Sequence, residues 1–96
     1  MPKAIWNGAV IAEAKDDEVE IMEGDVYFPM QAVHRDYLMA SHTVKNNVGI
    51  GRAGHFHVVV GDKINEDAAW VYRNPSAAVQ KIADHVAFRR SVEIQR

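Results

Sequence analysis

Apolar and polar residues alternate with a period of two through the first quarter of the chain. Lys3-Ala4-Ile5-Trp6 and Ala9-Val10-Ile11-Ala12-Glu13-Ala14 flank Asn7-Gly8, a dipeptide that supplies the two positive φ values of a type I′ turn. A two-residue hairpin is predicted, with Trp6 opposite Ala9. Strand alternation then puts Ala4, Trp6, Ala9, Ile11 and Glu13 on one face, Trp6 and Glu13 too far apart to touch. After Asp16-Asp17, Val19 to Glu23 alternates again, and Glu23-Gly24-Asp25 turns it into Val26-Tyr27-Phe28, which predicts a second hairpin.

Beyond Pro29 the period changes. Met30, Val33 and Tyr37 recur at helical spacing with Gln31, Arg35 and Asp36 opposite, so a helix is expected from Pro29 to about Ala40. Strands are expected at Ser41 to Lys45 and, after a glycine-bearing loop from Asn46 to Gly54, at the β-branched run His55 to Val60, closed by Gly61-Asp62. Ala68 to Arg73 alternates around Trp70 and Tyr72. Asn74-Pro75 reads as a helix start, followed by the apolar stripe Ala78, Val79, Ile82 and Val86, and a last strand lies near Ser91 to Ile94. Strands and helices do not alternate regularly, which argues against a doubly wound parallel sheet. The fold class expected is α+β, mostly antiparallel β, with two short helices.

Composition narrows the picture further. The 96 residues, 48% hydrophobic and 25% charged, make one ordinary globular domain spanning 1–96. No cysteine is present, which removes disulfides, thiolate zinc sites and cysteine nucleophiles. Met1 to Trp6 runs straight into a strand pattern without a secretory signal, and reads as a mature start. No apolar run approaches the roughly 20 residues of a spanning helix, so the expected location is cytoplasmic, with no membrane partner. The formal charge of −2 and the single small basic cluster, Arg89, Arg90 and Arg96, argue against a nucleic-acid partner.

Each candidate for chemistry has a plainer explanation beside it. Gly49-Ile50-Gly51-Arg52-Ala53-Gly54 matches G-x-G-x-x-G, but a strand follows it where a dinucleotide loop requires a helix. Its glycines read as turn positions, and a backbone nest holding an anion beside Arg52 is the functional reading left to them. His55 and His57 point to one face of a strand like an H-x-H metal pair, yet no spacing selects a third ligand, so no metal and no cofactor are expected; the plain reading is a half-exposed polar face. Trp70 and Tyr72 share a face, and Trp6, Tyr27 and Phe28 come from neighbouring hairpins. Core packing explains them, and an aromatic-lined ligand cleft is the sharper alternative. Asp16-Asp17 diverge on a strand and are solvated in a turn. P-loop, G-x-S-x-G and H-E-x-x-H signatures are absent.

Taken in order, Trp6-Asn7-Gly8 with Val10-Ile11-Ala12-Glu13, Glu23-Gly24 with Tyr27-Phe28-Pro29, Ala68-Ala69-Trp70 with Tyr72, and Val86-Ala87-Phe88 resemble the family termed domain of unknown function 427, over nearly the whole chain. The resemblance implies an Mss4-like or β-tent architecture of small barrel-like antiparallel sheets, and it carries a nucleotidyltransferase label that no paired-carboxylate motif here supports. Where many members have Cys-Pro-Trp-Lys-Gly, this chain has Asn47-Val48-Gly49-Ile50-Gly51, a departure that bears on any activity needing that cysteine or lysine. Arg73 stands where a proline is usual, and Arg89 where a second aromatic is common.

The leading functional expectation is a small-molecule binding module with a cleft formed by Trp6, Tyr27, Trp70 and Tyr72 and polar groups from Glu13, Arg52, His55, His57 and Arg73. An alternative is an enzyme acting on a nucleotide or other phosphorylated small molecule, with Arg52 holding phosphate and Glu13 or His55 as acid or base. A third reading is a protein-interaction module using a sheet edge. Catalytic residues, protein partner and oligomeric state are left open.

Overall fold

Asn7 and Gly8 hold φ values of 49° and 79°, the two positive values expected of the first turn. In a computed structural model that describes Met1–Arg96, this turn joins β1 (Lys3–Trp6) to β2 (Ala9–Glu13), with Trp6 opposite Ala9. The alternation then breaks. Ala4 faces Ala12 and Ile5 faces Val10, which leaves Ile11 as an extra, bulged residue. A bulge shifts every later side chain to the other face. Ala12 therefore joins Ile11 in the core, both 0% exposed, while Glu13 turns to the opposite face from Trp6 and lies opposite Lys3.

Replacing Gly8 by Ala should cost about 1–2 kcal/mol, because an L-residue pays that much for left-handed backbone. Gly54 is the matched control: space around its missing Cβ is equally open, but its φ is not positive. Gly54→Ala should stay within about 0.5 kcal/mol, and urea unfolding of the two variants measures the difference.

The second expected hairpin forms through the same chemistry. Glu23 and Gly24, at φ 53° and 82°, connect β3 (Glu20–Met22) to β4 (Asp25–Pro29). From Pro29 to Ala40 the chain does not make the expected helix. It forms two single 3₁₀ turns, Met30–Ala32 and Arg35–Tyr37. Between them Val33 is extended, bridges to Ala12 and is 6% exposed, and the His34 N–H donates to the Ile11 carbonyl at 2.8 Å. Pairing with β2 thus satisfies backbone that a helix would have satisfied internally, and it buries a β-branched side chain that gains little from helix.

Three long strands follow: β5 (Leu38–Asn47), β6 (Gly51–Val60) and β7 (Lys63–Tyr72). The long glycine loop expected between β5 and β6 shrinks to a three-residue turn, since Asn47 pairs with Gly51. The second expected helix is also replaced by 3₁₀ turns, Ala77–Ile82, broken by Val79 at φ −129°. Val86 belongs instead to β8 (His85–Phe88), which lies between β4 and β7 and supplies the partner both need. β9 (Glu93–Gln95) pairs with β1.

The result is mostly antiparallel β, a three-stranded sheet β2-β1-β9 and a six-stranded sheet β3-β4-β8-β7-β6-β5. The larger sheet has two apolar faces. One carries Phe28, Val58, Val71, Val86 and Phe88 into the main core shared with Ala4, Ile11 and Ala12 of the small sheet. The other carries Tyr27, Ala53, Tyr72 and Ala87, capped in part by Ile82 of the 3₁₀ segment. No helix is long and apolar enough to cross a membrane.

Candidate functional site

Register decides which side chains meet on the second face. His55 pairs with Trp70 and Ala53 with Tyr72 on the β6–β7 ladder, Lys45 with Ala53 on β5–β6, and Trp70 with Ala87 on β7–β8. Opposed residues share a face. Together with Tyr27 from β4, Lys45, Ala53, His55, Trp70 and Tyr72 wall an open cleft of about 510 Å³, whose rim adds Asp25, Asn47, Ile50, Asp67 and Arg89.

At its floor the polar atoms are paired in a directional way. The Trp70 indole Nε1–H donates to the Tyr27 hydroxyl at 3.1 Å, and the rings meet edge to face at 6.4 Å and 82°. An indole N–H can only donate, so the Tyr27 oxygen accepts and its own proton is left to point elsewhere. Burial pushes the Tyr27 hydroxyl up to about 12, against a smaller opposing effect of the Trp70 hydrogen bond, so it stays a donor at neutral pH. The Asn47 side-chain N–H₂ donates to the Tyr72 hydroxyl in the same sense.

A raised tyrosine pKa stabilises the fold fully below the unfolded value near 10 and is lost as pH rises through the folded value. Between about pH 10 and 12 the wild type should lose about 2 kcal/mol, taking roughly 1.36 kcal/mol per unit. Tyr27→Phe should not show this part of the alkaline loss, and urea unfolding of both proteins across that range checks it.

Both strands flanking β6 bulge beside its histidines. Ser41, His42 and Thr43 occupy the space opposite His55, and Glu66, Asp67 and Ala68 that opposite His57. Asp67 adopts φ 50°, a left-handed conformation that aspartate tolerates better than most residues. Its carboxylate accepts from the hydroxyls of Ser41 and of Thr43, the latter at 2.8 Å. Those two hydrogen bonds hold its carboxyl below the usual range.

The two histidines take opposite tautomers. His55 Nδ1–H donates to the Thr43 carbonyl at 3.2 Å, which leaves Nε2 with a free lone pair on the cleft side chain. His57 Nδ1 accepts the Asp67 backbone N–H at 2.9 Å, so its proton is on Nε2 and the ring is neutral. The 3.6 Å approach of His57 Nδ1 to the Asp67 carboxylate is therefore not an ion pair in that state. Nearby, burial raises the Asp25 pKa, with Arg90 opposing. No group of three or more His, Asp or Glu side chains is arranged to hold a metal ion.

Of the residues expected at one site, Tyr27, His55, Trp70 and Tyr72 come together, and His57 lies beside them against Asp67. The other four do not join that cleft. Trp6 packs on the main core from the small sheet, and Glu13, moved by the Ile11 bulge, sits 3.7 Å from Lys3. Arg52 and Arg73 alternate to the far face of the large sheet, where they line a separate groove. Lys45, Asn47 and Asp67 were not legible as site residues. Extending β5 to Asn47 would have placed the first two by alternation, but nothing in the sequence signals the bulge that brings in Asp67.

The model of the family described as domain of unknown function (DUF427) matches residues 2–96. No curated protein matches the chain.

Proposed function

The chain belongs to the DUF427 family, whose description names no established reaction, and we propose from the site itself that it is a small-molecule binding module. The ligand lies in the cleft on the outer face of the large sheet, a flat apolar part against Trp70 and an acceptor atom, such as a carbonyl or carboxylate oxygen, on the Tyr27 hydroxyl. The observation that carries this reading is the Trp70 N–H donating to the Tyr27 hydroxyl, which leaves that hydroxyl to donate elsewhere; Tyr27 is 2% exposed as a residue, yet it borders an open cleft. A few fixed polar groups on an apolar wall are what a small-molecule site requires. The segment in which this chain departs from the resembling sequences, Asn47 to Gly51, contributes Asn47, Val48 and Ile50 to the same cleft, so the ligand preference proposed here is this chain's own. With the reading goes the finer architecture, an Mss4-like or β-tent arrangement, supported by two antiparallel sheets over one core.

Trp6→Phe leaves Trp70 as the sole indole and makes its fluorescence the reporter. Titrated with aromatic carboxylates and nucleosides, that protein should show saturable quenching by at least one compound. Adding Tyr27→Phe should weaken that compound about tenfold, the worth of one buried hydrogen bond to a ligand. Linear collisional quenching by every compound, unchanged by Tyr27→Phe, would overturn the proposal.

A second reading, acid–base catalysis in the same cleft, is favoured by the free Nε2 lone pair of His55, whose ring is oriented by the Thr43 carbonyl. A histidine with one nitrogen anchored to backbone is poised to accept a proton through the other. Turnover of a bound compound, abolished by His55→Asn while binding persists, would raise this reading above the first.

A further inference from the structure

We propose a second site, for a diphosphate or similar phosphate-bearing small molecule, on the face of the large sheet opposite the aromatic cleft and centred on Arg52 and Arg73. The last paired position of the β6–β7 ladder at this end is Ala53 with Tyr72. Arg52 precedes Ala53 on β6, and Arg73 follows Tyr72 just past the end of β7. Both point away from the aromatic cleft, and both line one groove of about 600 Å³ with Gly51, Gly54, Val71 and Asn74. Arg73 also closes an adjoining hollow of about 150 Å³ that contains Arg35 and the apolar Met30, Leu38 and Phe56.

Like charges that line one groove repel each other unless something neutralises them. Nothing in the protein does so fully. Neither Arg52 nor Arg35 makes an ion pair, and Arg73 has only Asp84, with Nη1 3.6 Å from Oδ1 and both side chains more than 60% exposed. No aspartate or glutamate lines either hollow. The excess is local, because the chain as a whole carries −2.

The other arginine group makes the contrast. Arg89, Arg90 and Arg96 share their hollow with Glu23, Asp25 and Glu93, so their charge is matched within the fold. The Arg52 groove is also open over Gly54, since nothing lies within 4 Å of where a Cβ on that residue would be. Two planar guanidinium forks over an open, acid-free floor suit the oxygens of a bridging diphosphate, which each fork binds through two parallel N–H bonds.

Pyrophosphate, ADP and inorganic phosphate titrated into ¹⁵N-labelled protein test this. Pyrophosphate should move the Nε–H signals of Arg52 and Arg73 and the Gly54 amide along one saturable curve. Arg52→Ala should weaken it about tenfold or more, the worth of a charge-assisted hydrogen bond. Both side chains are exposed, so Arg52→Ala should fold as the wild type does and, relieved of repulsion, unfold at the same or a slightly higher temperature without phosphate. ADP binding more tightly than pyrophosphate would identify a nucleotide as the source of the group, and equal affinity a free polyphosphate. Shifts spread over Lys63, Lys81, Arg89 and Arg90 and indifferent to Arg52→Ala would overturn the proposal, as would the absence of any saturable shift. Neither result bears on the Trp70 cleft, which lies on the other face.

Discussion

Phe28→Ala is expected to remove about 3–5 kcal/mol of stability, the usual cost of emptying a fully buried aromatic site. Phe28 is 0% exposed and meets Phe88 edge to face at 5.9 Å. It lies on β4 in the core that joins the two sheets, with Ile11 and Ala12 of the small sheet in the same cluster. A domain of this length has about 5–15 kcal/mol in all, so the thermal midpoint should drop by at least about 12 °C at roughly 4–8 °C per kcal/mol. A drop of only a few degrees would mean that the sheets are not held together through this residue.

Ile82→Ala should cost about 2–5 kcal/mol, although it sits in the irregular 3₁₀ segment Ala77–Ile82. Ile82 is 0% exposed and packs in the second apolar cluster with Tyr27, Tyr72 and Ala87. The segment is thus expected to unfold with the domain rather than as a loose loop. A second readout separates this substitution from Phe28→Ala: Trp70 is packed against the same cluster, so its emission in a Trp6→Phe background should shift even where the protein remains folded. An unchanged midpoint and an unchanged spectrum would place Ile82 outside the cooperative unit.

The parts of this fold that could be read along the chain are those decided by neighbours in sequence. Asn7-Gly8 dictates a two-residue turn because few other pairs tolerate two positive φ values, and that turn forms; Glu23-Gly24-Asp25 marks the second hairpin, in which Glu23 and Gly24 alone make the turn and Asp25 opens β4. Alternation likewise placed Trp70 and Tyr72 on one face. The misread parts were decided by distant strands. Met30, Val33 and Tyr37 have helical spacing, but β2 offers Val33 and His34 backbone partners. Val86 continues an apolar stripe from Ala78, yet the space between β4 and β7 recruits it as strand.

The site shows the same division. Alternation and turn chemistry bring Tyr27, Trp70, Tyr72 and His55 within reach of sequence reasoning. One bulged residue, Ile11, is enough to turn Glu13 to the face opposite Trp6, and the wider bulge at Asp67 introduces a carboxylate beside the histidines. Bulges add residues to one strand of a ladder without a compositional signature, so their effects on a face appear only with the register.

The most direct measurement is a ¹H–¹⁵N spectrum of the labelled wild-type protein titrated with aromatic carboxylates and nucleosides, followed at the Trp70 indole Nε1–H. That proton is hydrogen-bonded to the Tyr27 hydroxyl at the cleft floor, so a ligand accepting from Tyr27 must change its shielding. The expected result is a compound that shifts the Trp70 indole signal together with the amides of Asn47 and His55 while leaving the Trp6 indole in place. A panel in which no compound moves the Trp70 indole, or in which every shift maps to the Trp6 side of the small sheet, would contradict a ligand cleft on this face and leave Tyr27, Trp70 and Tyr72 as core.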